Sequence, residues 1–341
     1  MSESEFGYIK WIQKHLKYNR LASSPTTSRS GDVLIGSGDD CAVIKLPDSN
    51  LLYATTDTIV EGVDFNLRSA TPEQVGYKSV AISLSDLAAM GGGFSKIYAL
   101  ISASLPKKLT KSSFTHPLFQ GMSRISKQFG VRIIGGDISS TKGPITITST
   151  LLGISRGLKP IRRSGACIGD AILVTGKLGG SILGKHLSFI PRLEESELLN
   201  RHYKLNSMID ISDGLLADLN HILETSPPKA DLPKVQGCKK KTTSDKIGAM
   251  LDEVSIPISL DAYKLSRKNG NKALRHAFSD GEDFELLFTA PMEEAVKIIH
   301  DKRFNKIPIS IIGLIWEQKG IFWCNRNGKV IKIKPEGFRH F

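Results

Sequence analysis

The chain has 341 residues, of which 40% are hydrophobic and 23% are charged. This length exceeds the size at which one hydrophobic core usually stops growing, so we expect two globular domains. The composition excludes an extensively disordered chain, and no apolar run approaches the roughly 20 residues that a membrane-spanning helix needs. The formal net charge of +12 leaves an anionic substrate, an acidic membrane surface or a nucleic acid open as a partner.

The first predicted element is an amphipathic helix near the amino terminus, with apolar residues from Phe6 to Leu16 at roughly helical spacing and lysines between them. A signal peptide would instead show a basic start followed by an unbroken apolar stretch, so we expect a cytoplasmic protein. Four cysteines lie too far apart in the sequence to form a zinc-binding pair, and reduced thiols are expected: Cys41, Cys167, Cys238 and Cys324.

Strands and helices alternate through the first half of the chain. β-branched and aliphatic runs predict strands, whereas a longer apolar periodicity that ends at three glycines predicts a helix. The predicted elements are strands at Cys41–Leu46 and Leu51–Thr56, a helix at Pro72–Met90, a strand at Ile97–Ser102, a helix at Phe114–Phe129, and strands at Val131–Ile134 and Ile145–Ile154.

The basic stretch Gly157–Gly169 is the predicted domain boundary, which gives an amino-terminal domain of residues 1–156 and a carboxy-terminal domain of residues 157–341. Beyond it, the predicted elements are strands at Asp170–Thr175 and Met208–Ser212, a helix at Gly214–Leu223 and a strand at Phe284–Thr289. Alternation on both sides of the boundary predicts two α/β or α+β domains.

A lysine-rich stretch around residues 227–249 is the one dense basic cluster. Its prolines and glycine favour an exposed loop or insertion. No aromatic residue that could stack on a base lies between Lys229 and Lys246. We therefore expect neither a nucleic acid nor a membrane as the partner.

Aspartates recur at the ends of the predicted strands, where α/β proteins place their ligands. Clustered carboxylates cannot all stay ionised in a partly dry site without a cation. Oxygen ligands without paired His or Cys suit Mg²⁺, which also binds nucleotide phosphates. Each aspartate taken singly is equally compatible with a turn or a helix cap. The residues concerned are Asp39, Asp40, Asp57, Asp137, Asp210 and Asp213.

Three further features leave two interpretations open. Asp86 lies near the carboxyl end of a predicted helix, where the helix dipole opposes it, so it faces either solvent or a cation. Arg162 and Arg163 suit either a nucleotide phosphate or a solvated linker. The segment Gly281–Asp283 is either an acidic hairpin or a loop that faces the substrate.

A P-loop and a covalent nucleophile are both disfavoured. Residues 179–186 match the spacing of a P-loop, but His186 stands where Ser or Thr should hold Mg²⁺, so a glycine-rich turn is preferred. The sequence shows no local signature of an activated Ser or Cys nucleophile. Direct transfer is the simpler expectation.

Seven strings in a fixed order resemble the thiamine-monophosphate kinase family, and with the closing Gly337–Phe341 they cover nearly the whole chain. They are Gly-Asp-Asp-Cys-Ala-Val (38–43), Thr-Thr-Asp-Thr-Ile-Val-Glu-Gly-Val-Asp-Phe (55–65), Tyr-Lys-Ser-Val-Ala-Ile-Ser-Leu-Ser-Asp-Leu-Ala-Ala-Met-Gly (77–91), Ile-Gly-Gly-Asp (134–137), Arg-Ser-Gly-Ala (163–166), Ile-Asp-Ile-Ser-Asp-Gly-Leu (209–215) and Gly-Glu-Asp-Phe-Glu-Leu (281–286). The resemblance implies an aminoimidazole ribonucleotide synthetase-like fold of two domains, with mixed sheets flanked by helices. It also implies a homodimer whose amino-terminal sheets pair.

The same resemblance implies an activity and a set of roles. The activity is in-line transfer of the γ-phosphoryl group of ATP to thiamine monophosphate, with Mg²⁺ as cofactor. The implied Mg²⁺ ligands are Asp40, Thr55, Thr56, Asp57, Asp86, Asp137, Asp210 and Asp213. The implied ATP contacts are Gly136, Asp137, Arg163 and Ser212, and the implied substrate contacts are Asp64, Glu282 and Phe338.

The main alternative is a related ATP-dependent enzyme of the same superfamily that acts on an amide oxygen, a carbamoyl group or selenide. A selenide-activating member should carry a reactive cysteine near its amino terminus, and a carbamoyl-processing member one at its extreme carboxyl terminus. The sequence shows neither. A nucleic-acid-binding protein, or a nucleotide-binding protein without catalysis, is the alternative from another class.

Overall fold

The computed structural model describes residues 32–155, 157–226, 247–335 and 337. The predicted amino-terminal helix, most of the lysine-rich stretch and the predicted substrate contact Phe338 lie outside these residues.

The first half of the described chain forms a six-stranded mixed sheet. Its order is β1-β2-β3-β6-β4-β5, and β4 and β5 run parallel while the other neighbours are antiparallel. The strands are β1 (Val33–Ile35), β2 (Ala42–Lys45), β3 (Leu51–Val60), β4 (Phe94–Pro106), β5 (Val131–Thr141) and β6 (Thr146–Ser155). β5 therefore forms one edge of the sheet.

Two helices of this half pack against each other and against the sheet. They are α1 (Pro72–Ala89) and α2 (Ser112–Gln128). Thr71 starts α1 through a capping box: its hydroxyl accepts from the Gln74 amide at 3.2 Å, and its own amide donates to the Gln74 side chain at 2.9 Å. Because α1 is buried on nearly all sides, it acts as a central element of the core.

The second half forms a seven-stranded mixed sheet with the order β13-β12-β9-β11-β7-β10-β8. Only β12 and β9 run parallel. The strands are β7 (Ala171–Thr175), β8 (Ser207–Asp210), β9 (Gly248–Asp252), β10 (Leu286–Ala290), β11 (Ile309–Trp316), β12 (Gly320–Cys324) and β13 (Val330–Ile333). β7, β8 and β10 are buried along their whole length, as expected of strands covered on both faces.

The described residues of this half form five α-helices: α3 (Leu193–His202), α4 (Leu215–Thr225), α5 (Leu260–Asn269), α6 (Ala273–Ser279) and α7 (Met292–Ile299). α1 packs against α3 and β8, and one hydrophobic cluster contains buried residues of both halves. A second cluster lies within the second half, between its sheet, α4 and α6. The two halves thus meet along α1.

Every strand and helix predicted within the described residues is present, but two aspartates are placed differently from the prediction. β3 continues to Val60 and β5 to Thr141, so Asp57 and Asp137 lie inside strands and not at their ends. The polar outer faces of these strands made them look shorter than they are. The domain boundary at residues 156 and 157 stays a prediction.

Cys41 and Cys324 are free thiols, as expected, whereas Cys167 takes part in a disulfide bond. The expectation of reduced cysteines is therefore wrong at Cys167. Spacing along the sequence does not reveal which cysteines meet in the fold. Within the described residues, no helix is both long enough and apolar enough to cross a membrane.

Candidate active site

A large cavity of about 1120 Å³ is lined by elements of both halves. Most residues singled out from the sequence line it: Asp39, Asp40, Thr55, Thr56, Asp57, Asp64, Asp86, Arg163, Asp210, Ser212, Asp213 and Glu282. α1 and β3 contribute from the first half, and the loops after β8 and before β10 contribute from the second. The cavity is therefore the candidate active site.

Three carboxylates from three separate elements converge at one wall of the cavity. Asp40 precedes β2, Asp86 lies in α1 and Asp210 ends β8. Each offers an oxygen within 4.8 Å of the others. The interpretation of Asp86 as a cation-facing residue is thereby favoured over a solvent-facing one.

Hydroxyl groups orient the acidic side chains. Ser85 donates to Asp210 at 2.6 Å, and Ser83 donates to Asp57 at 2.7 Å. Thr55 donates to Asp86. These donors each fix one oxygen of a carboxylate, which restricts the orientation of Asp57, Asp86 and Asp210.

Burial raises the pKa of these carboxyl groups. Desolvation raises the pKa of Asp86 well above its usual value, and the charges of Asp57 and Asp210 add to it. Desolvation and the charge of Asp40 raise the pKa of Asp210 to about 7. The pKa of Asp57 is raised mainly by burial. Such a group is costly unless protons or a cation compensate it.

The donor set fits a hard divalent cation. Asp40 Oδ2 is buried and has no hydrogen-bond partner, so it is available as a ligand. The nearby oxygens of Asp86 and Asp210 complete a set of carboxylate donors, which Mg²⁺ prefers. No thiolate takes part in this group.

Arg163 connects this wall to the segment between the halves. Its Nε and Nη2 both donate to Asp40 Oδ1, the first at 3.1 Å and the second at 2.5 Å. Its amide donates to Asp39 at 3.1 Å. Burial, followed by the charge of Asp40, raises the pKa of Asp39 to about 6. Arg163 therefore belongs to the site, whereas Arg162 donates to the Leu34 carbonyl at 3.2 Å.

A second group of side chains that could hold a metal ion lies in the first turns of α4 and just before it. Asp213, Asp218 and His221 each offer an atom within 4.8 Å of the others. Asp218 is buried and accepts from the amides of Asp213 and Gly214 at 3.1 and 3.0 Å, so it caps α4 from within its first turn. This group extends the polar wall of the cavity beyond Asp210.

Asp64 and Glu282 both line the cavity and are joined by a lysine. Lys78 Nζ donates to the Asp64 carbonyl at 2.6 Å and forms an ion pair with Glu282. The Asp64 carboxylate itself accepts from the Val60 amide at 2.7 Å. The acidic segment before β10 is thus a loop that faces the cavity and not a hairpin exposed to solvent.

The loop that carries Glu282 has an unusual backbone. Glu282 and Phe284 both have positive φ, at 53° and 49°, which is uncommon outside glycine and often marks functional sites. The loop is fixed by the Glu282 amide, which donates to the Ser212 carbonyl at 2.7 Å. Phe284 stacks on Phe189 with ring centroids 4.0 Å apart.

Two predicted site residues do not lie at the cavity of their own chain. Gly136 and Asp137 are on the edge strand β5, and neither lines the cavity. Asp57 on β3 pairs with Ser149 on β6, which pairs with Ile101 on β4, which pairs with Gly136 on β5. Gly136 therefore lies three strand spacings from Asp57, a distance of about 14 Å.

The glycine-rich turn at residues 179–186 is not a P-loop. A Cβ on Gly180 would lie 2.4 Å from the Ala262 amide nitrogen, and one on Gly179 would lie 2.6 Å from that of Ala277. These glycines allow close packing against α5 and α6, which accounts for their place in the turn. Lys185 donates to Glu285 at 2.9 Å. The preferred interpretation from sequence is confirmed.

Several functional residues were not identified from the sequence: Lys78, Ser83, Ser85, Asp218 and His221. For α1, the sequence does contain a pattern that marks such residues. Ser79, Ser83 and Asp86 recur at helical spacing in an otherwise apolar helix, and Lys78 and Ser85 are seven residues apart. Polar residues on the buried face of a helix indicate a polar site within the fold.

Comparisons with known proteins agree with this arrangement. A family model described as AIR synthase related protein, N-terminal domain, matches residues 38–155. A thiamine-monophosphate kinase of Rhodopirellula baltica is 35% identical over 321 residues, which cover 92% of this chain and 93% of the relative. A thiamine-monophosphate kinase of Buchnera aphidicola subsp. Schizaphis graminum is also 35% identical, and the match covers 100% of both chains.

Solved structures give the same result. AaThiL complexed with AMPPCP and TMP has a TM-score of 0.76 at 29% identity, and the match covers 99% of this chain and 97% of that one. The thiamine monophosphate kinase of Aquifex aeolicus has a TM-score of 0.72 at 28% identity and covers 98% of this chain and 100% of that one. The predicted fold class is confirmed by these matches.

Proposed function

The chain belongs to the thiamine-monophosphate kinase family, and we propose that it transfers the γ-phosphoryl group of ATP to thiamine monophosphate to form thiamine diphosphate. The observation that carries this proposal is the convergence of Asp40, Asp86 and Asp210 from three elements, with an unpartnered, buried oxygen on Asp40. Such a group of carboxylates needs cations, and nucleotide phosphates are the ligands that usually share them.

We propose that the acidic wall, the side of the cavity where Asp40, Asp86 and Asp210 converge, holds Mg²⁺. The bound cation would neutralise the charge of the phosphates. The proposed ligands are Asp40, Thr55, Thr56, Asp57, Asp86, Asp210 and Asp213, with Asp137 as a further member. Arg163 and Ser212 are the proposed ATP contacts of the same chain. Burial of these groups removes water, which strengthens their interaction with the charged phosphates.

The acceptor phosphate needs no strong base. It is already ionised, so attack on the γ-phosphorus depends mainly on alignment and charge neutralisation. In-line transfer without a covalent intermediate is the simplest course. The acidic pair Asp64 and Glu282 suits the cationic thiazolium ring of thiamine, while the phosphate would point toward the carboxylate wall. Phe338 is the third proposed substrate contact.

A homodimer is the second part of the proposal, because Gly136 and Asp137 are out of reach of their own cavity. β5 is an edge strand with an exposed stretch of apolar side chains, Ile134 at 58% and Ile138 at 71% exposure. Exposed edges and apolar patches favour contact with another chain. A second copy that packs along this sheet could deliver its Gly136 and Asp137 to the ATP site. We propose the cytoplasm, where ATP is available, as the location.

The test is a direct assay of the reaction. Purified protein is mixed with ATP, Mg²⁺ and thiamine monophosphate, and thiamine diphosphate is followed by chromatography. We expect product from the wild type and at least a roughly 100-fold loss in Asp57→Asn and Asp213→Asn, since each removes a charge that the phosphates require. Asp48→Asn is the matched control, because Asp48 is exposed in a turn and does not line the cavity.

The assay distinguishes thiamine monophosphate from a different acceptor of the phosphoryl group. Product from the wild type and from Asp48→Asn, but not from the two site variants, supports the kinase and its metal site. If Mg²⁺-dependent ATP binding is retained while no diphosphate forms, the acceptor is a different one and the proposed substrate is wrong.

A further inference from the structure

Lys78 lies in the middle of α1 and is almost completely buried, at 1% exposure. A lysine is rarely buried to this extent unless it is paired. Its ammonium group has two partners from different halves of the molecule: the Asp64 carbonyl in the loop after β3, and the Glu282 carboxylate in the loop before β10. Lys78 also lines the cavity.

Several other hydrogen bonds of the Glu282 loop and of the start of β10 lie within the second half. Asp283 accepts from the Gly179 amide at 2.8 Å. Arg192 donates to both oxygens of Glu285, at 2.7 and 2.8 Å. These contacts hold the base of the loop against its own sheet. The ion pair with Lys78, by contrast, connects Glu282 to the first half.

The two partners of Lys78 are the described residues that the proposed function assigns to the substrate. One ammonium group therefore sets the separation of Asp64 and Glu282 across the cavity. Glu282 has a positive φ, a backbone conformation that persists only where neighbouring contacts hold it. The direction of its side chain therefore depends on those contacts. A shift of about 1 Å in such a contact can change the rate or the affinity strongly.

We propose that Lys78 is a positioning residue that fixes Asp64 and Glu282 for the thiamine end of the acceptor and has little influence on ATP. This inference rests on the proposed function. It assigns to Lys78 an effect on acceptor binding, because its two partners, Asp64 and Glu282, are the proposed acceptor contacts and neither belongs to the group formed by Asp40, Asp86 and Asp210.

A purely structural ion pair is the competing interpretation. The Glu282 side chain is 29% exposed, so water can solvate its carboxylate when the lysine charge is removed. The long alkyl stem of Lys78 packs in α1, and methionine can fill the same space. Removal of the charge alone should therefore leave the fold intact and change mainly the position of the loop.

The experiment measures steady-state kinetics with each substrate varied in turn, for the wild type, Lys78→Met, Lys78→Arg, Glu282→Gln and the double variant Lys78→Met with Glu282→Gln. Lys297→Met is the control for loss of an ion-paired lysine, because Lys297 is exposed and pairs with Glu294 on α7. Thermal unfolding of each variant is recorded alongside.

We expect Lys78→Met to raise KM for thiamine monophosphate at least roughly tenfold, with KM for ATP changed by less than about threefold. Lys78→Arg should recover much of the loss. The double variant should resemble the worse single variant, since both changes remove the same contact. Lys297→Met should behave as the wild type.

Equal changes in both KM values together with a lower unfolding temperature would show a structural role and overturn the inference, as would an unchanged KM for the acceptor. If the wild type makes no thiamine diphosphate, the proposed function itself fails. If the wild type is active and the variants keep its acceptor KM, only the role of Lys78 fails.

Discussion

Asp210 is a residue of this site whose burial lowers the stability of the folded protein when no cation is bound. It is 2% exposed, shares a small volume with Asp40 and Asp86, and has its pKa raised to about 7 by burial and the charge of Asp40. Without a cation, the folded protein must either hold protons on this group or tolerate repulsion. Both conditions reduce stability at neutral pH.

The pH dependence of stability follows from the sign of this shift. Between pH 3.8 and about 7 the folded state binds more protons at Asp210 than the unfolded state does, so the free energy of unfolding falls as the pH rises through this window. The contribution is fully present below the unfolded pKa and is lost above the folded one. In Asp210→Asn, which cannot ionise, we expect the unfolding temperature of the metal-free protein to fall less between pH 5 and 8.

Unfolding is followed by circular dichroism in a chelating buffer, and then with Mg²⁺ added. Mg²⁺ should raise the unfolding temperature of the wild type most at pH 8, where the carboxylates are charged, and should have a smaller effect on Asp210→Asn. Asp252→Asn, at the end of β9 in the second sheet, is the control. An identical pH dependence in wild type and Asp210→Asn would contradict the raised pKa.

Sequence reasoning identified acidic residues of the site well and their polar neighbours poorly. Asp40 and Asp210 were recognised because they stand beside predicted strands. Ser85 and Lys78 were missed because serine and lysine are common, and only the tertiary contacts of α1 reveal that Lys78 meets Glu282 and that Ser85 meets Asp210. The position of Asp137 away from its own cavity could not be read from sequence, because it depends on the order of strands in the sheet.

At the scale of elements, the contact between α1 and α2 decides where α1 can lie. The two helices approach so closely that glycine is required on both. A Cβ on Gly121 would lie 1.8 Å from the Glu73 carbonyl oxygen, and one on Gly76 would lie 1.9 Å from that of Leu118. This approach presses α1 into the core and presents Lys78 and Asp86 to the cavity.

Gly121→Ala tests this contact. Helix propensity alone would make alanine more stable by about 1 kcal/mol, but steric overlap with a backbone carbonyl reverses the sign, and we expect a net destabilisation of about 2 kcal/mol or more. Urea unfolding provides the measurement. Gln120→Ala, at the exposed neighbouring position, is the matched control and should change stability by less than about 0.5 kcal/mol. A stabilised Gly121→Ala would show that the helices do not pack this closely.

The elements that were predicted are those with a strong local pattern. The helix α1 was recognised from its apolar content and the glycines that follow it. Helices α5 and α7 were not predicted, because Leu260, Met292 and Val296 are exposed and their apolar pattern does not mark a buried face. The lengths of β3 and β5 were underestimated because serines and threonines cover their outer faces, as in the pair formed by Thr58 and Thr148.

At the scale of the whole molecule, the site needs two halves and, we propose, two copies. The acidic wall forms only because α1 of the first half meets β8 of the second. The outer face of the first sheet carries Asp137, Ser102 and Thr148 in one row that leads toward β3. A partner that covers this face would bring its own β5 to the neighbouring cavity, which a C2 arrangement permits for both copies at once.

Complementation between inactive variants tests this geometry. Asp57→Asn and Asp137→Asn are each expected to be inactive alone. If Asp137 serves the cavity of the partner, a mixed dimer carries both defects in one cavity and neither in the other. Random pairing of equal amounts makes half of the dimers mixed, so about a quarter of wild-type activity should return in the unseparated mixture and about half in isolated mixed dimers. Co-expression with two different affinity tags isolates the mixed dimers, and light scattering confirms their mass.

The opposite geometry predicts a different result. If Asp137 acts in its own chain, every cavity of a mixed dimer has one defect, and no activity returns. A mixture of Asp57→Asn with Asp210→Asn is the matched control, because both residues line the cavity of one chain and should not complement each other. Recovery of activity in the first mixture and none in the second would place Asp137 across the dimer interface. In that geometry Asp57 and Asp137 of one chain serve different cavities, whereas Asp57 and Asp210 serve the same one.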